Sequence, residues 1–205
     1  MARILVGIPC FRLAQQVQQC ISSLSGVDVV AVDNAADQDV KNVLNGFEKI
    51  TVIHSPTNEY CNGAWNRILE YGISEKYDII GLGSSDAFLY SGWDAVLQNR
   101  ATEYTDEIWL PQIGAPNAGV EYVQTGVAGF FSFWPLKAAE LVYPIPHTLR
   151  HWFGDQYMFE KARASGWKIT ILNGLRAEHA WCSVTAANPD TYGVIEQDKI
   201  EWGRL

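Results

Sequence analysis

The sequence predicts an α/β fold with a mostly parallel central sheet flanked by helices. Short apolar runs, such as Ile4 to Ile8, have the composition of strands that are covered on both faces. Segments with apolar residues at helical spacing, such as Leu13 to Leu24, lie between these runs. An alternation of strand and helix predicts parallel strands with helices on the sheet faces. The fold class follows from this alternation.

The composition restricts both the architecture and the partners. With 205 residues, the chain fits one domain that buries a substantial core. Hydrophobic residues make up 48% and charged residues 19%, which argues against disorder. The net charge of -8 disfavours nucleic acid and anionic membranes as main partners. An anionic ligand would therefore need a metal ion or local cationic groups.

The sequence favours a cytoplasmic location. The strand predicted from Arg3 to Ile8 leaves no room for a leader peptide, and no apolar stretch approaches the roughly 20 residues of a membrane span. The cysteines lack the CxxC spacing of zinc sites, and they give no disulfide framework. They are Cys10, Cys20, Cys61 and Cys182.

Four strands and three helices are predicted in the first half. Pro9 is expected to end the first strand, because proline cannot donate to a strand ladder. The strands are expected at Ile4 to Ile8, Val27 to Val32, Ile50 to Ile53 and Tyr77 to Leu82. The helices are expected at Leu13 to Leu24, Asp37 to Phe47 and Gly63 to Tyr71. Neither a GxGxxG dinucleotide fingerprint nor a GxxxxGK[ST] phosphate loop is present.

The second half is predicted to be more irregular. Helices are expected at Trp93 to Arg100, Pro135 to Val142 and Asp155 to Ser165. Strands are expected at Ile108 to Ile113, Gly126 to Trp134 and Trp167 to Leu172, with a loop from Gly114 to Gly119. The tail from Cys182 has no strong period and would form a lid or an ordered arm. We expect one domain over 1–205, composed of a regular first half (1–100), a less regular second half (101–181) and the tail (182–205).

A candidate ligand site follows the fourth strand. Ser84, Ser85 and Asp86 come directly after it, where open α/β sheets bind ligands. A carboxylate there can hold a divalent cation, and small serines leave room for a bulky anion. Capping of the turn by Asp86 is an equally good interpretation of this stretch alone.

In order along the chain, several motifs resemble those of nucleotide-sugar-dependent glycosyltransferases of family 2. The motifs are V-G-I-P-C-F, V-V-A-V-D-N, N-G-A-W-N-R, S-S-D at Ser84 to Asp86, G-V-A-G-F-F, G-D-Q at Asp155, and the late His179. The resemblance extends from Ile4 to about Trp181. It implies the A-type glycosyltransferase fold, whose N-terminal half is Rossmann-like. It also implies that residues 1–100 form the nucleotide-sugar-binding half and residues 101–181 the acceptor and catalytic half.

The resemblance also implies an activity and a set of site residues. It implies transfer of a sugar from a nucleoside-diphosphate sugar, with a UDP-sugar as first candidate, to a hydroxyl of a glycan or other acceptor, with inversion. Asp155 is implied as the general base, and Asp86 and His179 as ligands of Mn²⁺ or Mg²⁺. The implied nucleotide-binding residues are Pro9, Phe11, Asp33, Asn34, Asn62, Gly63, Ser84 and Ser85. The implied acceptor or sugar contacts are Gly129, Trp152 and Trp181.

Two departures from the family pattern keep other interpretations open. The acidic motif has one carboxylate, Asp86, and the base motif has Gly154 where glutamate is usual. A non-catalytic nucleotide-sugar or glycan-binding module on the same fold is therefore the alternative. A sugar-phosphate nucleotidyltransferase ranks lower, because the lysine-bearing phosphate loop is missing.

Asp155 would also suit a simple helix cap, since aspartate is favoured at helix starts. The oligomeric state is not predicted.

Overall fold

The computed structural model describes residues 1–104, 106–113, 122–123, 129–180 and 190–205, with the backbone alone at 122–123. Three predictions lie wholly or partly outside these residues. They are the loop from Gly114 to Gly119, the beginning of the strand from Gly126 to Trp134, and the acceptor contact Trp181 together with the start of the tail at Cys182.

The predicted alternation of strands and helices in the first half is confirmed. The strands are β1 (Ile4–Cys10), β2 (Asp28–Asn34), β3 (Ile50–Ser55) and β4 (Ile79–Gly83). The helices are α1 (Ala14–Ser22), α2 (Gln38–Asn45) and α3 (Tyr60–Ser74). The four strands are parallel, in the order β3-β2-β1-β4. Their carboxyl ends therefore lie at one edge of the sheet.

The prediction that Pro9 ends the first strand was wrong, since β1 continues to Cys10. The pairing of β1 with β4 ends at Gly7, whereas its pairing with β2 continues to Cys10. Pro9 therefore has a strand neighbour on one side only, and proline is tolerated at such edge positions.

The second half adds antiparallel pairs to the parallel sheet. Its strands are β5 (Ala87–Leu89), β6 (Glu107–Ile113), β7 (Tyr122–Val123), β8 (Phe131–Pro135) and β9 (Lys168–His179). Its helices are α4 (Trp93–Glu103), α5 (Leu136–Val142), α6 (Gly154–Ala164) and α7 (Thr191–Trp202). The strand order is β3-β2-β1-β4-β8-β6-β9-β5, with β7 beside β9. β8 is antiparallel to both β4 and β6, and so joins the two halves.

The last strand is longer than the sequence predicts. β9 continues past Leu172 to His179 through a register shift, and Gly174 there has the left-handed φ of 85°. Its far end pairs with the short strand β5, which was not predicted, so that Ala87 lies opposite His179. This pairing brings the residue before Ala87, Asp86, next to His179.

The tail contains a helix that the sequence analysis missed. Helix α7 buries Thr191, Val194, Ile195 and Asp198, which are spaced three, four and seven residues from the first. This spacing places the four side chains on one face of the helix. Two polar residues within this face, Thr191 and Asp198, obscured the apolar period.

The core consists of two apolar clusters, one on each face of the sheet. One contains side chains of α1, α2 and α4, such as Val17, Leu44 and Leu97. The other contains side chains of α3, α5 and α6, such as Ile68 and Phe159. The sheet is thus covered on both faces, as the α/β prediction requires. Among the described residues, no helix is long and apolar enough to cross a membrane.

Candidate active site

A cavity of about 410 Å³ opens at the carboxyl ends of β1, β2 and β4. It is where an open α/β sheet is expected to bind a ligand. Ten of the predicted site residues line it: Pro9, Phe11, Asn34, Ser84, Ser85, Asp86, Gly129, Trp152, Asp155 and His179. The lining residues that the sequence analysis did not select as site residues are Asn58, Tyr60, Cys61, Trp65, Phe130, His151, Phe153, Gln156 and Thr191.

Asp86 and His179 form a buried pair in this cavity. Nε2 of His179 lies 3.2 Å from Oδ1 of Asp86, and both side chains are almost fully buried. The hydroxyl of Ser84 donates a short hydrogen bond to the same Oδ1. The backbone N–H of Ala180 donates to the Asp86 carbonyl, which fixes the two strands at this point. The geometry thus juxtaposes the two predicted metal ligands.

A short segment before β8 joins this pair to Asp155. The ring of Phe130 stacks on the His179 imidazole, with centroids 3.8 Å apart. The Phe130 carbonyl accepts a hydrogen bond from the Ser84 N–H, and the neighbouring Gly129 N–H donates to Oδ2 of Asp155 at 2.8 Å. Two carboxylates at opposite ends of this segment therefore belong to one continuous wall of the cavity.

Asp155 lies in the first turn of α6, as predicted. Its Oδ1 accepts the Gln156 N–H at 2.9 Å, and its Oδ2 accepts the Gly129 N–H. Burial raises the pKa of the Asp155 carboxyl above its ordinary value, although these backbone bonds act in the opposite direction. A Cβ at Gly129 would come within 2.5 Å of the Asp155 Cβ, so only glycine allows this approach. A carboxylate whose pKa is raised by burial binds a proton more tightly than an ordinary aspartate, which suits the role of a general base.

The structure explains why a glycine precedes Asp155. A Cβ at Gly154 would lie 2.8 Å from Nδ2 of Asn62 and still closer to Oδ1. The Asn62 side chain is fully buried and is held by hydrogen bonds to two carbonyls. The side chain of glutamate, which is usual here in the family pattern, would therefore have to displace Asn62.

Two predicted nucleotide-binding residues, Asp33 and Asn34, have structural contacts of their own. Asn34 lines the cavity, and its side-chain amide accepts the Glu59 N–H and donates to the Tyr60 carbonyl. Asp33 accepts the Ala36 N–H at Oδ1, and its Oδ2 lies 2.9 Å from Nδ1 of His54. Asp33 and Asn34 therefore shape the turns beside the cavity. They remain predicted nucleoside contacts.

Asn62 and Gly63 lie on the first turns of α3, behind the cavity wall. Asn62 bonds to the loop at 149–152, and Gly63 lines a second, smaller cavity together with Asn66 and Arg150. Their predicted role in nucleotide binding would require an indirect effect through these neighbours.

Aromatic side chains form the outer rim. Trp152 is 41% exposed and lines the cavity. The neighbouring Phe153 ring stacks on Trp202 of α7, with centroids 5.6 Å apart. Burial lowers the pKa of His151, which favours its neutral form. An exposed indole face at a cavity mouth is suited to pack against the apolar face of a sugar.

The cavity is poor in positive charge. Its described lining contains two carboxylates, Asp86 and Asp155, and neither lysine nor arginine. Three cations lie against aromatic rings of the lining. The guanidinium of Arg12 lies 5.0 Å from the Phe11 ring centroid, and that of Arg150 lies 4.3 Å from the Tyr60 ring centroid. Nζ of Lys199 lies 5.9 Å from the Trp152 ring centroid. A divalent cation bound together with a diphosphate would add positive charge that the lining itself does not supply.

The described residues contain no cluster of three or more side chains able to ligate a metal. Asp86 and His179 supply a carboxylate oxygen, which suits Mn²⁺ and Mg²⁺ alike, and an imidazole nitrogen, which favours a transition-metal ion. Mg²⁺ typically uses one or two carboxylates and completes its shell with water and phosphate oxygens. The two side chains therefore fit a cation that is shared with a bound diphosphate.

The fold and the cavity define an α/β domain that binds its ligand at the carboxyl ends of parallel strands. The family model described as glycosyl transferase family 2 matches residues 5–168. The chain therefore belongs to glycosyl transferase family 2, a family of sugar-transferring enzymes. Comparison with curated protein sequences finds no match.

Solved structures share this fold at low sequence identity. GalNAc-T7, crystallised with UDP, GalNAc and Mn²⁺, has a TM-score of 0.73 at 12% identity over 87% of this chain and 43% of its own. S. aureus TarS 1-349 in complex with UDP has a TM-score of 0.73 at 13% identity over 97% and 65%. Its complex with UDP-GlcNAc has a TM-score of 0.71 at 15% identity over 86% and 58%. This chain thus spans 43% to 65% of the length of the chains in these three structures.

Proposed function

We propose that this domain transfers a sugar from a nucleoside-diphosphate sugar, with a UDP-sugar as first candidate, to a hydroxyl of a glycan or other acceptor. The observation that carries the proposal is the pair of carboxylates in one cavity. Asp86 lies beside His179, and Asp155 lies at the other end of the Gly129–Phe130 segment. The UDP and UDP-GlcNAc in the neighbours' structures support the choice of donor.

Asp155 would act as the general base. The acceptor hydroxyl attacks the anomeric carbon while its proton passes to the Asp155 carboxylate. The bond between the anomeric carbon and the phosphate oxygen breaks, and the nucleoside diphosphate leaves with that electron pair. A single displacement of this kind inverts the configuration at the anomeric carbon. The raised pKa of Asp155 supports this role, because a base works best when its pKa approaches the working pH.

Asp86 and His179 would hold a divalent cation, either Mn²⁺ or Mg²⁺. When bound, the cation supplies Lewis acidity that stabilises the negative charge on the departing diphosphate. Ser84 orients the Asp86 carboxylate through its hydroxyl. The Phe130 ring packs on the His179 imidazole and fixes its plane. The chain would thus contribute two ligands, each held by a neighbouring side chain.

The remaining lining divides into a nucleoside side and an acceptor side. Pro9, Phe11 and Asn34, at the ends of β1 and β2, would contact the nucleoside. Ser84 and Ser85 leave space for the diphosphate because their side chains are small. Gly129 and Trp152 would contact the sugars on the α6 side. The Asp33 carboxylate would accept a hydrogen bond from the nucleoside.

A non-catalytic nucleotide-sugar or glycan-binding module is the second candidate. It is favoured by the described lining, which offers two metal ligands and no cluster of three. The two candidates differ in turnover. Only the first releases nucleoside diphosphate when a nucleotide sugar and an acceptor are both present.

Calorimetry of UDP binding, with and without Mn²⁺, tests the cation-dependent site. We expect Mn²⁺ to tighten binding at least tenfold in the wild type, because UDP brings a diphosphate into a cavity with two carboxylates. Asp86→Ala should abolish this gain, and His179→Ala should reduce it less. Asp106→Ala is the matched control, since it removes an exposed carboxylate at the start of β6.

Transfer is then measured as UDP release from UDP-sugars against a panel of glycan acceptors. UDP release that depends on the acceptor supports the enzyme. An Asp86→Ala variant with undiminished Mn²⁺ dependence would refute the cation site. A wild type that binds UDP-sugars tightly and turns over none of them with any acceptor would favour the binding module.

A further inference from the structure

The loop before α6 is held by a buried carboxylate from the C-terminal helix. Asp198 of α7 is 0% exposed. Its Oδ1 accepts the Arg150 N–H at 2.9 Å, and its Oδ2 accepts the N–H groups of His151 and Trp152, both at 2.7 Å. Three successive backbone donors thus converge on one carboxylate. Hydrogen bonds to an ionised acceptor are roughly twice as strong as neutral ones.

The same loop is held from its other side by Asn62 of α3. Nδ2 of Asn62 donates to the carbonyls of Leu149 at 3.1 Å and Trp152 at 3.0 Å. The backbone N–H of Asn62 donates to the Arg150 carbonyl at 3.0 Å. Asp198 therefore binds the donors of the loop and Asn62 binds its acceptors.

These bonds determine the geometry of a segment that lies in neither a helix nor a strand. At its end, Phe153 has a left-handed φ of 61°, and α6 begins at the next residue. The stacking of Phe153 on Trp202 adds a second attachment to α7. The position of Trp152 at the cavity and the starting point of the helix that carries Asp155 both follow from this loop.

We propose that Asp198 and Asn62 are positioning residues for the transfer reaction, which hold the loop at 149–152 so that Trp152 and Asp155 face the cavity. The inference rests on the proposed function, because Asp155 is the base of that reaction. Helix α7 lies beyond residues 5–168, the part that matches the family model. Because Asp198 lies on α7, the C-terminal helix would belong to the catalytic unit.

A role in docking the helix alone would not require a carboxylate. Val194 and Ile195 already bury apolar side chains on the same face of α7. An ionised carboxylate is costly to bury unless it is fully hydrogen-bonded. The three N–H bonds supply that compensation, and they also specify the path of the loop. A misplacement of about 1 Å at a reacting group can lower a rate by about a hundredfold.

Asp198→Asn tests the inference on the full chain, because an amide keeps the size but cannot accept three N–H groups. We expect kcat for sugar transfer to fall about tenfold to a hundredfold, with the Kd for UDP and Mn²⁺ within about twofold of wild type. Amide hydrogen exchange at 150–152 should become at least tenfold faster. Val194→Ala is the matched control, since it loosens the same helix face and leaves the Asp198 bonds intact.

Asn62→Ala is the second variant, and it is informative even if Asp198→Asn fails to fold. It should give the same separation between kcat and UDP affinity. A tenfold loss of UDP affinity in Asn62→Ala would instead make Asn62 a nucleotide contact and overturn its positioning role. Likewise, an Asp198→Asn variant with a kcat no lower than that of Val194→Ala would overturn the role of Asp198.

Amide hydrogen exchange distinguishes a failure of the positioning role from a failure of the proposed function. A wild type that binds UDP and transfers sugar to no acceptor overturns the proposed function. Unchanged exchange at 150–152 in Asp198→Asn overturns the positioning of the loop, whatever the activity. Faster exchange confined to 150–152 and the start of α6 supports it.

Discussion

Replacing Asp155 by asparagine removes the basic group while keeping most of its contacts. In the wild type, the carboxylate accepts the N–H groups of Gly129 and Gln156. The amide of Asp155→Asn can accept only one of them. An unsatisfied buried donor costs about 1–3 kcal/mol. The loss of a carboxylate that burial disfavours acts in the opposite direction.

We therefore expect a small change in stability and a large change in rate. The melting temperature should change by less than about 5 °C, at roughly 2–4 °C per kcal/mol for a domain of this size. The transfer rate should fall at least about a hundredfold, the lower end of what a positioned base contributes. UDP affinity should stay within about twofold, because a base acts mainly in the transition state. The assay is UDP release under saturating donor, with calorimetry for Kd.

The pH dependence gives a second readout of the same substitution. The folded pKa of Asp155 is raised, so the native state binds this proton more tightly than the unfolded state. The stability that proton binding at Asp155 contributes is complete below the ordinary aspartate pKa, and it is lost as the pH rises through the folded pKa. The wild-type transfer rate should rise through that same folded pKa, since the base must be deprotonated. The residual transfer rate of Asp155→Asn should not show this rise with pH.

Asp155→Gln is a companion variant, because it also lacks a basic group but has a longer side chain. In both variants the transfer rate should no longer rise with pH. If Asp155→Asn retained wild-type turnover, Asp155 would be a helix cap and the base would lie elsewhere.

Two further substitutions test how the cavity is built. Gly154→Ala should destabilise the fold by about 1–3 kcal/mol, because the new Cβ overlaps the Asn62 amide; Gly193→Ala, where a Cβ meets nothing within 4 Å, is its control in thermal denaturation. Unchanged stability in Gly154→Ala would mean that Asn62 moves aside easily. Asp33→Ala should weaken UDP binding by about 1–3 kcal/mol if its carboxylate bonds to the nucleoside, whereas His54→Ala should not. Equal UDP affinity in both variants would remove Asp33 from the site.

The sequence alone determined the architecture of the first half. Apolar runs and helical periods are local signals, and they predicted the β1 to β4 alternation because β1, β2 and β4 are buried on both faces and therefore almost continuously apolar. They also predicted that Asp86 follows a strand at the ligand edge of the sheet. Asp155 at a helix start was equally visible, since acidic residues are favoured there.

Tertiary structure decided which of these residues meet. The pairing of β5 with β9 sets His179 beside Asp86, and no local pattern specifies a contact between residues so distant in sequence. The partners of Asn62 likewise depend on a loop almost ninety residues away, with separations of 87 and 90.

Helix α7 is an element that the sequence pattern alone did not predict. Its inward face carries Asp198, and a carboxylate in that position interrupts the apolar period that would reveal the helix. Its burial is tolerable only because the N–H groups of Arg150, His151 and Trp152 converge on it in the folded chain. Local sequence sets the elements, whereas the satisfaction of buried polar groups across the fold sets the site.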